Sequence, residues 1–243
     1  MDKIKSSAPF CLIISFTIMM SITSLLGDKR SYVWTYENKI MGAGEAEIEH
    51  YLTYKYPDLD SLKDNVITEI YLELEVGMKD NFDISIYQMF QQLPDQPISY
   101  EGFKLRTRFR FSKRTNRFLE PLFYFEYTGK PDFSKHGLEG KLIFAKDMGK
   151  WNFAFNPTFE YTIHDKDRES ELKYTMGISR EINDLVKIGL EARGNKDGQY
   201  LGPVIAHGRE DLWVALGSLF AISPVEKGKP EFMLRLIIGI APQ

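Results

Sequence analysis

The feature that most constrains this chain is a hydropathy period of two that recurs from residue 44 to residue 240. In an extended strand successive side chains point to opposite faces, so such alternation gives each strand one apolar and one polar face. FKLRTRFRF at 103–111 sets Phe103, Leu105, Phe109 and Phe111 against Lys104, Arg106, Arg108 and Arg110. VITEIYLELEVG at 66–77 sets Ile70, Leu72, Leu74 and Val76 against Glu69, Glu73 and Glu75. GEAEIEHYLTYKY at 44–56 sets Ile48, Leu52 and Tyr54 against Glu45, Glu47 and Glu49, with His50 breaking the apolar face. The pattern continues at 82–90, 117–128 (with Glu126 on the polar face), 137–146, 151–163, 170–179, 185–193, 200–207, 211–222 and 231–240 (with Arg235 on the polar face), which makes twelve strands.

The connections alternate in phase. After the even strands they are short and turn-like (MKDN, SKRTN, DMGK, EIND, GRE), and after the odd strands mostly longer and polar, as in PDLDSLKDN and QQLPDQPISY. An up-and-down meander with tight turns at one rim and longer loops at the other produces this. Aromatics fall at the strand ends: Phe82, Phe111 and Trp151 beside short turns, Tyr54, Tyr56, Phe103, Tyr127, Tyr161 and Phe232 beside long loops. Aromatic girdles at both membrane interfaces have this placement. The expected fold is therefore all-β: a single antiparallel up-and-down transmembrane β-barrel of about 12 strands over residues 44–243.

Ahead of it, Lys3 and Lys5 precede an apolar run over residues 9–20, as in a secretory signal peptide, expected over 1–27. Residues 28–43 are expected as a periplasmic lead-in. The single cysteine, Cys11, lies in the apolar run, so no disulfide framework is expected. The net charge of -3 gives no reason to expect nucleic acid as a partner.

Membrane placement sends the charges inward, because a charge on the lipid face costs roughly 2–4 kcal/mol near the midplane. The expected lumen wall carries Lys104, Arg106, Arg108, Arg110 and Arg235 with Glu45, Glu47, Glu49, Glu69, Glu73, Glu75 and Glu126. Glu69 is expected near the height of Lys104 or Arg106, and Glu75 near Arg110. Two readings stay open: acidic and basic walls facing each other across a pore for small solutes, or a salt-bridged core that makes the barrel structural or partner-binding and non-conducting. Pro121, Pro157 and Pro203 fall inside expected strands, where a missing N–H marks a bulge or a break in the ladder.

No enzyme activity is expected, and no cofactor or metal. His50, His136, His164 and His207 are scattered, and His164 near Ser170 is the nearest approach to a base and nucleophile. The expected partners are outer-membrane lipid, the barrel-insertion machinery and a small solute of unknown identity.

WTYE at 34–37, followed by GAGEAEIEHYLTYKY and the alternating strands, resembles Gram-negative outer-membrane β-barrel proteins. The pattern is most similar to the barrels associated with the MetA pathway of phenol degradation, a group regarded as transporters. That resemblance implies an outer-membrane location and transport, and it assigns no functional residue. Such barrels usually end on an aromatic residue, whereas this chain ends FMLRLIIGIAPQ.

Overall fold

The computed structural model describes residues 29–60, 65–111, 121–165, 167–209 and 211–241. The expected signal peptide and the first part of the expected fifth strand lie outside these residues. The twelve strands are β1 (Ala46–Tyr56), β2 (Ile67–Lys79), β3 (Phe82–Gln92), β4 (Ser99–Phe109), β5 (Leu122–Gly129), β6 (Lys135–Met148), β7 (Trp151–His164), β8 (Asp167–Glu181), β9 (Val186–Asn195), β10 (Gly198–Gly208), β11 (Leu212–Ala221) and β12 (Phe232–Ile240). Each pairs antiparallel with its sequence neighbours, and β1 pairs with β12 from Ile48↔Ile240 to Tyr56↔Phe232, so the sheet closes on itself.

Parity in the sequence becomes inside and outside. On β4, Leu105 is 48% exposed while its neighbours Arg106 and Arg108 are 2% and 1% exposed. The same inversion recurs around the barrel: Leu74, Phe125, Phe155, Leu190 and Leu216 stand outward, while Glu75, Tyr124, Asn156, Glu191 and Ala215 are buried. An apolar belt of this extent would drive aggregation in water and matches a hydrocarbon layer. At its edges aromatics meet edge to face: Phe111 lies 4.8 Å from both Phe109 and Phe123. At the opposite rim Phe232 packs between Tyr56 and Phe220 at 5.6 and 4.6 Å. Placing a cation in the belt, as in Leu105→Lys, should lower the unfolding free energy in lipid vesicles by roughly 2–4 kcal/mol, read from the guanidinium midpoint.

The prolines behave differently from bulges. Pro157 stands opposite Tyr174 of β8, and the β6–β7 ladder skips from Lys141↔Thr158 to Phe144↔Phe155 without changing register. Pro203 stands opposite Leu190, and the β10–β11 ladder skips from Leu201↔Phe220 to Val204↔Gly217, again in register. Each proline lacks an N–H for one neighbour, and the ladder opens locally without inserting a residue. Pro121 lies just ahead of β5. Register shifts occur instead at Gly77/Lys79 and at Met89/Phe90. At the second, Gly102 adopts φ 133°, and a Cβ there would run into the Gly129 carbonyl.

Candidate functional site

The lumen holds the chain's own N-terminal segment. Residues 28–43 are expected to sit ahead of the barrel as a periplasmic lead-in; of the described part, 29–43, residues 29–41 instead fold back inside the barrel. Tyr32, Val33 and Met41 are 0, 2 and 1% exposed. The fold-back is closed by Glu37, which accepts from the Ser31 N–H at 2.7 Å and the Ser31 hydroxyl at 2.9 Å. Its tip is the WTYE stretch.

Inward-facing side chains of the wall hold that tip. The Glu191 carboxylate accepts the backbone N–H groups of Val33, Trp34 and Thr35 at 2.9, 3.0 and 2.8 Å. Asn156 accepts the Tyr36 N–H at 2.6 Å and donates to the Tyr36 carbonyl at 3.1 Å. Tyr32 donates to the Asn152 carbonyl at 3.0 Å, Arg30 pairs with Glu49 at 2.9 Å, and the Met41 N–H reaches Asp83 at 3.2 Å. The segment lies inside because its backbone donors find buried acceptors there and its rings find apolar partners. Glycines clear its path: a Cβ at Gly177 would strike the Tyr32 ring, one at Gly217 would strike Val33, and one at Gly77 would strike the Gly42 carbonyl.

Above the rim where the segment enters, the charged stripes close on each other. Arg106 bonds Glu75 at 2.5 Å and Glu73 at 3.0 Å, and Arg108 bonds Asp83 at 2.7 Å and also Glu75. Glu75 is thus level with Arg106 and Arg108, not with Arg110, because β2, β3 and β4 align Glu75 with Ser85 and Ser85 with Arg106. Arg110 donates to the Asn38 side chain at 2.8 Å, so its partner is the inserted segment. Tyrosines finish the cluster: Tyr51 donates to Glu73 at 2.7 Å, Tyr87 accepts from Arg106 at 2.9 Å, and Tyr124 donates to Glu126 at 2.6 Å.

The other expected wall residues scatter around this cluster. Glu47 accepts the indole N–H of Trp213, and Glu69 pairs with Lys55 at 2.5 Å rather than with the β4 cations. Lys104 pairs with Glu126 at 2.7 Å. Arg235 donates to Thr53 at 2.8 Å and lies 5.3 Å from the Trp34 ring. Glu45 lies at the rim ahead of β1, where it accepts the Gly42 N–H at 2.7 Å and closes a turn. His164 and Ser170 do not come together: the β7–β8 register pairs His164 with Asp167 and Ser170 with Tyr161, on opposite faces of the wall.

Toward the long-loop rim the lumen widens into a vestibule. A cavity of about 270 Å³ is lined there by Glu69, Tyr71, Lys104, Glu126, Glu139 and Glu160 among others. Lys173 joins Glu160 to Glu171, lying 3.1 Å from the latter. On the outer loops Lys229 donates to Asp197 at 2.8 Å; that bond holds the carboxyl below and the ammonium above their ordinary ranges.

Sequence reasoning missed Arg30, Asp83, Asn156 and Glu191. The available signals were Glu191 on an inward position of a strand with no adjacent acid, and glycines at inward positions 77, 177 and 217.

An antiparallel 12-strand barrel with an apolar outer belt, a polar interior, short turns at one rim and longer loops at the other defines the class of outer-membrane β-barrels. Within that class the fold is similar to an outer membrane channel from Pseudomonas putida F1, at 9% identity and TM-score 0.65 over 87% of this chain and 100% of that one. It is also similar to the NanC porin, at 10% identity and TM-score 0.55 over 81% of this chain and 99% of that one. No family model and no curated protein matches the sequence.

Proposed function

We propose that this protein resides in the outer membrane of a Gram-negative bacterium, where it admits small polar solutes into the vestibule and passes them only when the segment at 29–41 shifts. The observation that carries the reading is the pair of unlike halves: a charged cavity toward the long-loop rim, and a lumen filled by residues 29–41 toward the other. In barrels of this class the long loops face outward and the short turns face the periplasm. The segment is tied by hydrogen bonds and by the ion pairs of Arg30 with Glu49 and Glu73 rather than by a ladder, so it can leave the wall without breaking the barrel. The reading is non-enzymatic; among the described residues the inner wall offers charge and hydrogen bonds to a passing solute, and His164 and Ser170 lie on opposite faces.

The test is single-channel conductance of the refolded protein in a planar bilayer, with a variant lacking residues 29–41 beside it. The intact protein should give small, intermittent steps and the deletion large, steady ones. Silence from both, with insertion established by heat-modifiable gel migration, would leave the salt-bridged, non-conducting barrel as the better reading; the closed Arg106–Glu75–Arg108 cluster is what favours that alternative.

A further inference from the structure

We propose that the outer wall carries a binding site for one diacyl phospholipid of the leaflet that faces the periplasm, its phosphate between Lys146 and Arg180 and its acyl chains in two neighbouring grooves. Such a site is independent of whether the barrel conducts. Lipid-facing positions on this barrel are mostly apolar, yet strand parity turns Lys146 outward beside Phe144 and Arg180 outward beside Ile178. Lys146 lies two residues from the end of β6 and Arg180 one from the end of β8, so both stand at the short-turn rim. Trp151, the first residue of β7, lies between them; it pairs with Arg180 across the ladder, and its ring centroid is 5.4 Å from the guanidinium carbon. Among the described residues neither cation makes a hydrogen bond or an ion pair. By the same parity no described Asp or Glu points outward on β6–β9.

A groove begins at each cation. One, of about 560 Å³, runs from Lys146 past Phe153, Phe155 and Met176 to Leu201 and dips at the small Ala192 of β9. The other, of about 770 Å³, runs from Arg180 and Trp151 past Ile188 and Pro203 to Leu234 and dips at Ser218 of β11. The Ile178–Leu190 pair lines both and forms the ridge between them. Leu201 lies three residues from the long-loop end of β10 and Leu234 two from that of β12, so both grooves climb from the short-turn rim into the membrane. Two apolar grooves, each with a cation at its foot, match two acyl chains above one phosphate. Lys146 and Arg180 are two strands apart, roughly 10–12 Å at Cα, so both long side chains reach a phosphate lying over Trp151. A guanidinium fork fits phosphate oxygens, the ammonium adds a point charge, and a tryptophan favours headgroup depth. Cations cost little at this depth and attract anionic headgroups. A second copy of the chain fits this face poorly, because a two-fold contact would bring the same two cations and no outward carboxylate.

The measurement is quenching of tryptophan fluorescence by phospholipids brominated on their acyl chains, with the full-length protein refolded into vesicles of phosphatidylglycerol and phosphatidylcholine in varied ratio, each lipid brominated in turn. Trp151 is 42% exposed on the lipid face, whereas Trp34 and Trp213 are 7 and 1% exposed inside the barrel, so Trp151 reports the site. Phosphatidylglycerol should displace phosphatidylcholine at Trp151 with a preference of roughly twentyfold at low salt, about fivefold for each cation. Arg180→Gln and Lys146→Gln should each lower that preference roughly fivefold, and the double variant should abolish it. Lys130→Gln, at the opposite rim, should leave it unchanged. Native mass spectra of the detergent-extracted barrel should show one retained phosphatidylglycerol, and Ser218→Phe, which fills one groove without removing a charge, should reduce the retained fraction several-fold. Heat-modifiable migration selects the folded variants. Equal quenching of the intact protein by the two lipids, or a preference that survives in the double variant, would overturn the proposal. A dimer mass in place of the retained lipid would also overturn it and assign the face to a second copy.

Discussion

The double variant Glu191→Ala, Asn156→Ala should conduct several-fold better than the intact protein and approach the deletion of residues 29–41. Glu191 is an acceptor for three consecutive backbone N–H groups, and it has no ion pair among the described residues. Hydrogen bonds to a charged acceptor contribute about 1.5–3 kcal/mol each. Asn156 ties the next residue through both its N–H and its carbonyl. Removing both side chains leaves five backbone bonds unmade at the tip of the fold-back, and the segment is then held by Arg30 with Glu49, Tyr32 with Asn152, Asn38 with Arg110, Met41 with Asp83 and the packing of Tyr32, Val33 and Trp34. The steps should therefore flicker rather than stay open, and lengthening open times from single to double variant would show that the two anchors add. Glu160→Ala serves as a control, since Glu160 lines the vestibule and pairs with Lys173 without touching the segment. If the double variant conducts like the intact protein while the deletion conducts well, the segment is held by its aromatic packing and not by these acceptors.

The barrel was legible in the sequence because its cause is local: parity is enforced residue by residue by lipid outside, so Leu105, Leu74 and Phe125 announce their face without knowledge of any partner. The inserted segment was not, because nothing periodic enforces it. Residues 29–41 look like a polar lead-in until Glu191, Asn156 and Gly177, distant in sequence, are known to surround them. The heights of the charges were half legible. Strand order correctly set the Glu stripe of β2 across from the Arg stripe of β4, but the register that pairs Glu75 with Arg106 depends on the shear between strands and on the shift at Gly77/Lys79, neither of which alternation encodes. Asp83 escaped notice for a related reason. It sits alone at the start of β3, and only the turn joining β2 to β3 brings it beside Arg108.

Arg108→Ala should be the most damaging single substitution in the wall, lowering unfolding free energy by about 3–5 kcal/mol. Arg108 is 1% exposed and its guanidinium bonds both Asp83 and Glu75. Truncation takes from buried Asp83 the guanidinium that pairs with it and leaves buried Glu75 to Arg106, which Glu73 also engages. Removing the charges together should cost much less: Arg108→Met with Glu75→Gln and Asp83→Asn keeps the volume and leaves Arg106 paired with Glu73, so a large part of the loss should return. Lys130→Ala is the comparison at the rim, where the pair with Glu101 has side chains 39 and 29% exposed and solvent screening limits the expected loss to under about 1 kcal/mol. Guanidinium midpoints in lipid vesicles would rank the three. Arg108→Ala falling no further than Lys130→Ala would mean that water reaches Glu75 and Asp83, so that the lower lumen is hydrated around the inserted segment and the ion cluster is no barrier to a solute.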